Sequence, residues 1–216
     1  MEKTPEMLRT PEGERRLERF APGMTGRSEK AASFFLDGYN CCQSVALAFE
    51  DVINERAGLT REQIVAMCSG FGGGIARMRE TCGCVSGMTL VAGLLQPAPA
   101  APAGDKAAMD LRHSNYALIR SLAEEFRSAQ GSIVCRELLG LRAEGATAAG
   151  ASRDVIAAAL AAAAGTAAAS PTTPAASAIP DTDTRPSERT PEYYKSRPCA
   201  GLVACAAGIL ANKFGL

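Results

Sequence analysis

Apolar residues recur at three- and four-residue intervals along most of the chain, the spacing of amphipathic helices. Residues 27–38 carry Ala31, Phe34 and Phe35 and stop at Gly38. Asn40, with Gln43 three residues on, forms an Asn version of the capping box. It predicts a helix running to Arg56, with Cys41 and Cys42 in its first turn and Val45, Phe49, Val52 and Ile53 as its buried stripe. Thr60 caps a third helix, whose Ile64, Val65 and Cys68 face inward. Thr81 is placed to cap a fourth, with Cys82 at its first position, Cys84 at its third, and Met88, Leu90, Val91, Leu94 and Leu95 buried behind them. After a Pro/Ala loop at 96–104, Asp105 caps a long helix bearing Leu111, Leu118, Ile119, Leu122 and Phe126, and Gly131 ends it. Ser132 starts a short helix with Cys135 at its third position, and Leu138 and Leu139 pack before Gly140. Pro198 suits the first position of a final helix, with Cys199 second, ahead of Leu202, Val203, Ala206, Ile209 and Leu210.

Two segments break this pattern. Residues 1–25 read as a solvated arm with one weak helical turn around Arg15 to Phe20. Residues 142–197 hold an alanine-rich helix capped by Ser152 and closed near Gly165, then a Pro/Thr/Ser-rich tract with too little apolar area to order itself, expected to be an extended or disordered insertion. The domain is therefore expected to comprise 26–141 plus 198–216: all-α, a compact multi-helix bundle of about six to eight helices. The stretch from Phe71 to Gly87 organises it. Gly72, Gly73 and Gly74 permit positive φ and close approach, and Gly83 and Gly87 leave one helix face almost bare, as ordinary close helix packing requires.

Composition narrows the function. Lys+Arg 23 against Asp+Glu 23, no Trp and 5% aromatic residues leave neither a cationic footprint nor a stacking platform, so no nucleic-acid partner is expected. Much of the 47% hydrophobic content is alanine, which overstates the core. Residues 1–30 lack an apolar leader core, and the uncharged runs are too short or broken by Pro97, Pro99 and Pro102, so a cytoplasmic location without membrane insertion is expected. Eight cysteines in such a chain point to metal or redox chemistry rather than structural disulfides.

Four of them, Cys41, Cys82, Cys135 and Cys199, fall in the first turn of a predicted helix, where free N–H groups and the helix dipole favour a thiolate. Four such ends converging would suit an iron–sulfur centre, a four-sulfur zinc site or a pair of reactive dithiols; the plain alternative is a set of small buried hydrophobes. Cys68 and Cys205 lie on apolar faces and read as structural. His113, the only histidine, lies on a polar flank and supports no Cys/His catalysis, so no catalytic residue is assigned. Arg77, Arg79 and Glu80 border the glycine turn, either tuning a centre or forming a solvated turn. No phosphate-loop lysine follows the glycines.

The runs GYNC at 38–41, FGGG at 71–74, ETCG with VSG at 80–87, SIVCRELLG at 132–140 and CAGLV at 199–203 resemble the C_GCAxxG_C_C family of redox-active proteins. The resemblance covers 26–141 and 198–216. It implies a small helical protein whose four signature cysteines match Cys41, Cys82, Cys135 and Cys199. A similar module in split-Soret cytochromes accompanies haem and an iron–sulfur centre, so the resemblance implies cluster binding and electron transfer, with zinc or a metal-free thiol–disulfide protein as alternatives. It also points to a redox partner in a transporter-associated system and allows a homodimer. No C-x-x-C-H occurs, so covalent haem is not expected. Cys42 and Cys84 stand where the family more usually has alanine; Cys42 could replace Cys41, Cys84 could compete with Cys82, or the two could add a disulfide or a second thiol pair.

Overall fold

A computed structural model describes residues 26–141 and 184–216. The expected N-terminal arm, the alanine-rich helix and the first part of the Pro/Thr/Ser tract lie outside the described residues. The fold is all-α. Among the described residues nine α-helices follow one another: α1 (Gly26–Leu36), α2 (Cys41–Leu47), α3 (Glu50–Ala57), α4 (Arg61–Cys68), α5 (Gly83–Leu95), α6 (Lys106–Gln130), α7 (Cys135–Leu138), α8 (Pro191–Ser196) and α9 (Cys199–Phe214).

The capping chemistry sets most boundaries. Asn40 Oδ1 accepts from Gln43 N at 2.9 Å while Gln43 Oε1 accepts from Asn40 N, also at 2.9 Å. Thr60 and Gln63 repeat the arrangement at α4, and Asp105 accepts from Ala108 N at 2.9 Å to open α6. The single helix expected from Cys41 to Arg56 is instead two. Its ladder breaks at Phe49 (φ −116°, ψ 21°), and Arg27 donates to the Ala48 carbonyl at 2.8 Å while its guanidinium lies over the Phe49 ring. This split and the unforeseen α8 account for the helix count above eight.

Helix α9 is the centre of the bundle. It is buried nearly all round, with Leu202, Val203, Ala204, Cys205, Ala206, Ala207, Leu210 and Ala211 each under a tenth exposed, as expected of a helix apolar on every side. Alanine here builds the core: it lets α1 and α9 cross so closely that a Cβ on Gly208 would lie 2.8 Å from Ser28 Oγ. Phe35, Phe49, Phe126, Leu47, Met88 and Leu122 fill the volume around it. Leu111 departs from the expected stripe and is 53% exposed. Helix α5 ends at Leu95, and Asn115 donates to the Gln96 carbonyl at 2.6 Å, so the first turns of α6 run past the end of their neighbour. Leu90, Leu94 and Leu95 are half-buried for the same reason, near the end of the bundle.

The C-terminal end of the expected linker also departs from expectation. Thr190 caps α8, with Pro191 at its start, and Tyr194 Oη donates to the Leu36 carbonyl at 3.1 Å while its ring meets Phe35 edge-on. Arg189 stacks over Phe35 and Tyr193 at 4.7 and 4.9 Å. Arg189, Tyr193 and Tyr194 thus supply the contact area that the tract's average composition lacks.

Candidate functional site

The four signature cysteines all stand at helix starts, at registers slightly different from those expected. Cys41, half-buried, is the first residue of α2. Cys82 is itself the residue preceding α5 rather than its first, because Thr81 is taken up in an isolated antiparallel bridge with Val134 and caps nothing. Cys84 is therefore second in α5. Cys135 opens α7 instead of standing third, since Ser132 Oγ turns back to accept from Val134 N at 2.9 Å. Cys199 opens α9 directly after Pro198.

What gathers these starts is the glycine segment. From Gly73 to Arg77 every residue has positive φ, including Ile75 (59°), Ala76 (44°) and Arg77 (67°), and Arg79 follows at 63°. A β-branched residue in this region is costly, on the order of 1–3 kcal/mol, and persists only where its surroundings over-determine it. Here they do. Arg79 N and Glu80 N donate to the Gly73 and Gly74 carbonyls, Cys135 N donates to Glu80 O at 2.7 Å, and Cys82 N donates to Ile133 O at 2.8 Å. Glu80 and Arg136 pair at 2.6 Å on the outside. The loop is thereby stitched to the segment carrying Cys135. Gly74 lies directly against it: an added Cβ would be 2.6 Å from Cys135 Cβ. Gly83 and Gly87 seat α5 on α2, with an added Cβ 3.0 Å from Cys41 Cβ and 2.8 Å from Val45 Cβ respectively.

The result is a group of five thiols, Cys41 half-buried and the other four buried. Cys41 is hydrogen-bonded to Cys199 and to Cys84, and Cys84 also to Cys82. Cys135 lies within electrostatic range of Cys82 and Cys41 and is hydrogen-bonded to Arg79, whose side chain is buried at 6% exposure. Cys199 responds to Cys41, Cys82 and Cys135 together. Cys84 is thus lodged between two expected ligands, Cys41 and Cys82.

Cys84, Cys135 and Cys199 are raised while Cys41 is lowered, contrary to the expectation that each helix start would favour a thiolate. Hydrogen bonds donated by Cys199 and Cys84, aided by the charge of Arg189, hold Cys41 well below the usual thiol range. Donating to Cys41, with burial and its neighbours' charge, pushes Cys199 well up; burial and its two hydrogen bonds do the same to Cys84. Burial, then the charges of Cys82 and Cys41, push Cys135 up to about 12 despite Arg79. Dehydration and mutual repulsion outweigh the helix ends because several anions cannot share one dry space without a counter-charge. Arg189, on the segment read as linker, supplies part of one. Its Nη1 is buried with no hydrogen-bond partner, while Nη2 donates to the Tyr39 carbonyl at 3.4 Å, just before Cys41.

The remaining cysteines make other contacts. Cys42 (0% exposed), within electrostatic range of Cys41 and Cys82, donates a hydrogen bond to Cys68 (2%), which lies in the core as expected. Cys205 is buried, its thiol raised by burial and hydrogen-bonded to Gln130. His113 is exposed. No disulfide is formed by any of the eight cysteines. Among the described residues no group of three or more Cys, His, Asp or Glu side chains is set to hold a single metal ion, and no helix is long and apolar enough to cross a membrane.

No curated protein and no solved structure matches the chain. A family model does, over residues 39–213, a span containing all eight cysteines; its description is "Putative redox-active protein (C_GCAxxG_C_C)". With five thiols gathered at the helix starts that carry its signature, the chain belongs to the C_GCAxxG_C_C family.

Proposed function

We propose that the protein is an electron-transfer module whose buried thiols hold an iron–sulfur cluster, with Cys41, Cys82, Cys135 and Cys199 as the ligands. The observation that carries this reading is that the backbone bonds of Cys82 N to Ile133 O and Cys135 N to Glu80 O, with Gly83 seated against Cys41 Cβ, draw three cysteine-bearing helix starts together, and that Cys199 is hydrogen-bonded to Cys41. Thiols raised by their neighbours' charge are poor acids alone, and good ligands once a cationic core compensates them. Two further features support the fit. The unpartnered Nη1 of Arg189 and the buried guanidinium of Arg79 supply positive charge and donors beside the thiols, the surroundings that tune a cluster's potential.

Such a cluster, when bound, supplies one-electron transfer. The residues do the rest. Cys199 gives up its proton and its hydrogen bond to Cys41, Arg79 holds Cys135 in place, and the stitched glycine loop keeps water from the sulfurs. A mononuclear zinc site has less support, since among the described residues no three such donors are set to hold one ion.

A second reading is favoured by the direct contact of Cys41 with Cys199. In thiol–disulfide exchange, the Cys41 thiolate attacks a partner's disulfide and releases one partner thiolate; the Cys199 thiolate then attacks the mixed bond, leaving a Cys41–Cys199 disulfide and a reduced partner. Purification of the full chain without oxygen, followed by iron and acid-labile sulfide analysis and an optical spectrum, separates the two. Brown protein with iron and sulfide is expected; colourless, metal-free protein that loses thiols in pairs on mild oxidation would replace the first reading with the second.

A further inference from the structure

Cys42 and Cys68 form a second thiol pair that neither reading uses. Cys42 lies in the first turn of α2 and Cys68 is the last residue of α4. Both are buried, and their thiols are hydrogen-bonded to each other. The two helix ends are held in register by a third residue: Asn40 Nδ2 donates to the carbonyls of Cys68 at 3.1 Å and Ser69 at 3.2 Å, while Asn40 caps α2. Gln43 Nε2 adds a bond to the Val65 carbonyl at 2.9 Å. The pairing therefore rests on fixed backbone and not on two side chains meeting by chance.

We propose that Cys42 and Cys68 are an oxidisable dithiol, a modification site beside the five-thiol cluster, which a peroxide closes into a disulfide. The chemistry balances. One thiol attacks the peroxide O–O bond, becoming a sulfenic acid with release of one water. The other attacks that sulfur, forming the S–S bond and releasing a second water, so two thiols lose two electrons and two protons to one hydrogen peroxide. Hydrogen peroxide is about the size of the water molecules that enter protein interiors, as a buried site demands. The bond would tie the turn that carries Cys41 to the end of α4, three residues before the glycine segment begins at Phe71, and so brace both sides of the cluster. This inference does not depend on whether the cluster carries metal.

The test is disulfide mapping of the full chain after treatment with one equivalent of hydrogen peroxide, with alkylation of free thiols before trypsin digestion. Cys68 is the only cysteine between Arg61 and Arg77, whereas Cys41 and Cys42 share the peptide between Lys30 and Arg56. A cross-link between these two peptides is expected in the wild type and in Cys41→Ser, and its loss is expected in Cys42→Ser. Fragmentation of the wild-type cross-linked peptide assigns the bond directly if a variant fails to fold. The midpoint of urea unfolding should rise in the oxidised wild type and not in Cys68→Ser. A cross-link that runs through Cys41, or a Cys68 that is still fully alkylated after peroxide has been consumed, would overturn the proposal.

Discussion

Replacing Gly74 by alanine tests how the glycine segment positions Cys135. Two costs are separable. Gly74 has φ +75°, where a Cβ costs about 1–2 kcal/mol, reduced by about 0.4–1 kcal/mol from the stiffer unfolded chain. The new methyl would also lie 2.6 Å from Cys135 Cβ and 2.9 and 3.0 Å from the backbone N and O of Glu80. None of these is the end of a flexible side chain, so an overpacking cost of about 1–3 kcal/mol is added. The total expected is about 2–4 kcal/mol. Gly58 provides the control: φ +65° and nothing within 4 Å of an added Cβ, so Gly58→Ala should cost only the conformational part, about 1 kcal/mol. Urea unfolding of the two variants, read as midpoint shifts at unchanged slope, measures the difference. Equal losses would refute the close packing of the loop on Cys135.

Other outcomes follow from the same geometry. Gly87→Ala should destabilise the protein although alanine is the better helix former, because Val45 Cβ would be 2.8 Å and the Cys42 carbonyl 3.0 Å away; a stabilised variant in thermal unfolding would contradict this. In metal-free, reduced protein, Cys41 should be the first thiol alkylated by iodoacetamide below pH 9, and Arg189→Gln should slow it, as peptide mapping of partial labelling can check. Cys135, raised to about 12, stays protonated in the fold while its unfolded counterpart ionises near the ordinary value of 9.0. The folded state then binds more protons, so its contribution is complete below pH 9 and falls as pH rises from about 9 to 12. Reduced, metal-free wild type should lose stability over that window more steeply than Cys135→Ser.

The helices were legible because their caps are local. Asn40, Thr60 and Asp105 each carry their partner within three residues, and Gly131 ends α6 in the left-handed conformation that glycine favours. The helix-start position of Cys41 followed from the same signals, while Cys82, Cys135 and Cys199 stand one or two residues from where their expected caps would put them. What was not legible depends on contacts far along the chain. Thr81 loses its capping role to a bridge with Val134, and α2 separates from α3 where Arg27 binds Ala48. The thiol acidities were misread for a similar reason. A helix-end argument treats each cysteine alone, whereas burial beside four others decides the balance. Cys68 is core, as its apolar face indicates, but its hydrogen bond from Cys42, 26 positions away, was not legible, and Arg189 was hidden in a tract whose composition suggested a linker. Its neighbours Tyr193 and Tyr194, adjacent aromatics in a segment otherwise poor in them, are the signal that could have exposed it.

The most direct test of the central idea, that thiols from four separate stretches act as one redox centre, is the iron and sulfide content of anaerobically prepared wild type beside Cys135→Ser and Cys205→Ser. Cys135 is the instructive member, since it is held by Arg79 and shares only the group's electrostatic field, while Cys205 is equally buried but bonded to Gln130. Iron, sulfide and visible absorption should be present in the wild type, collapse in Cys135→Ser and survive in Cys205→Ser. Equal cluster content in all three, or none in the wild type, would contradict it.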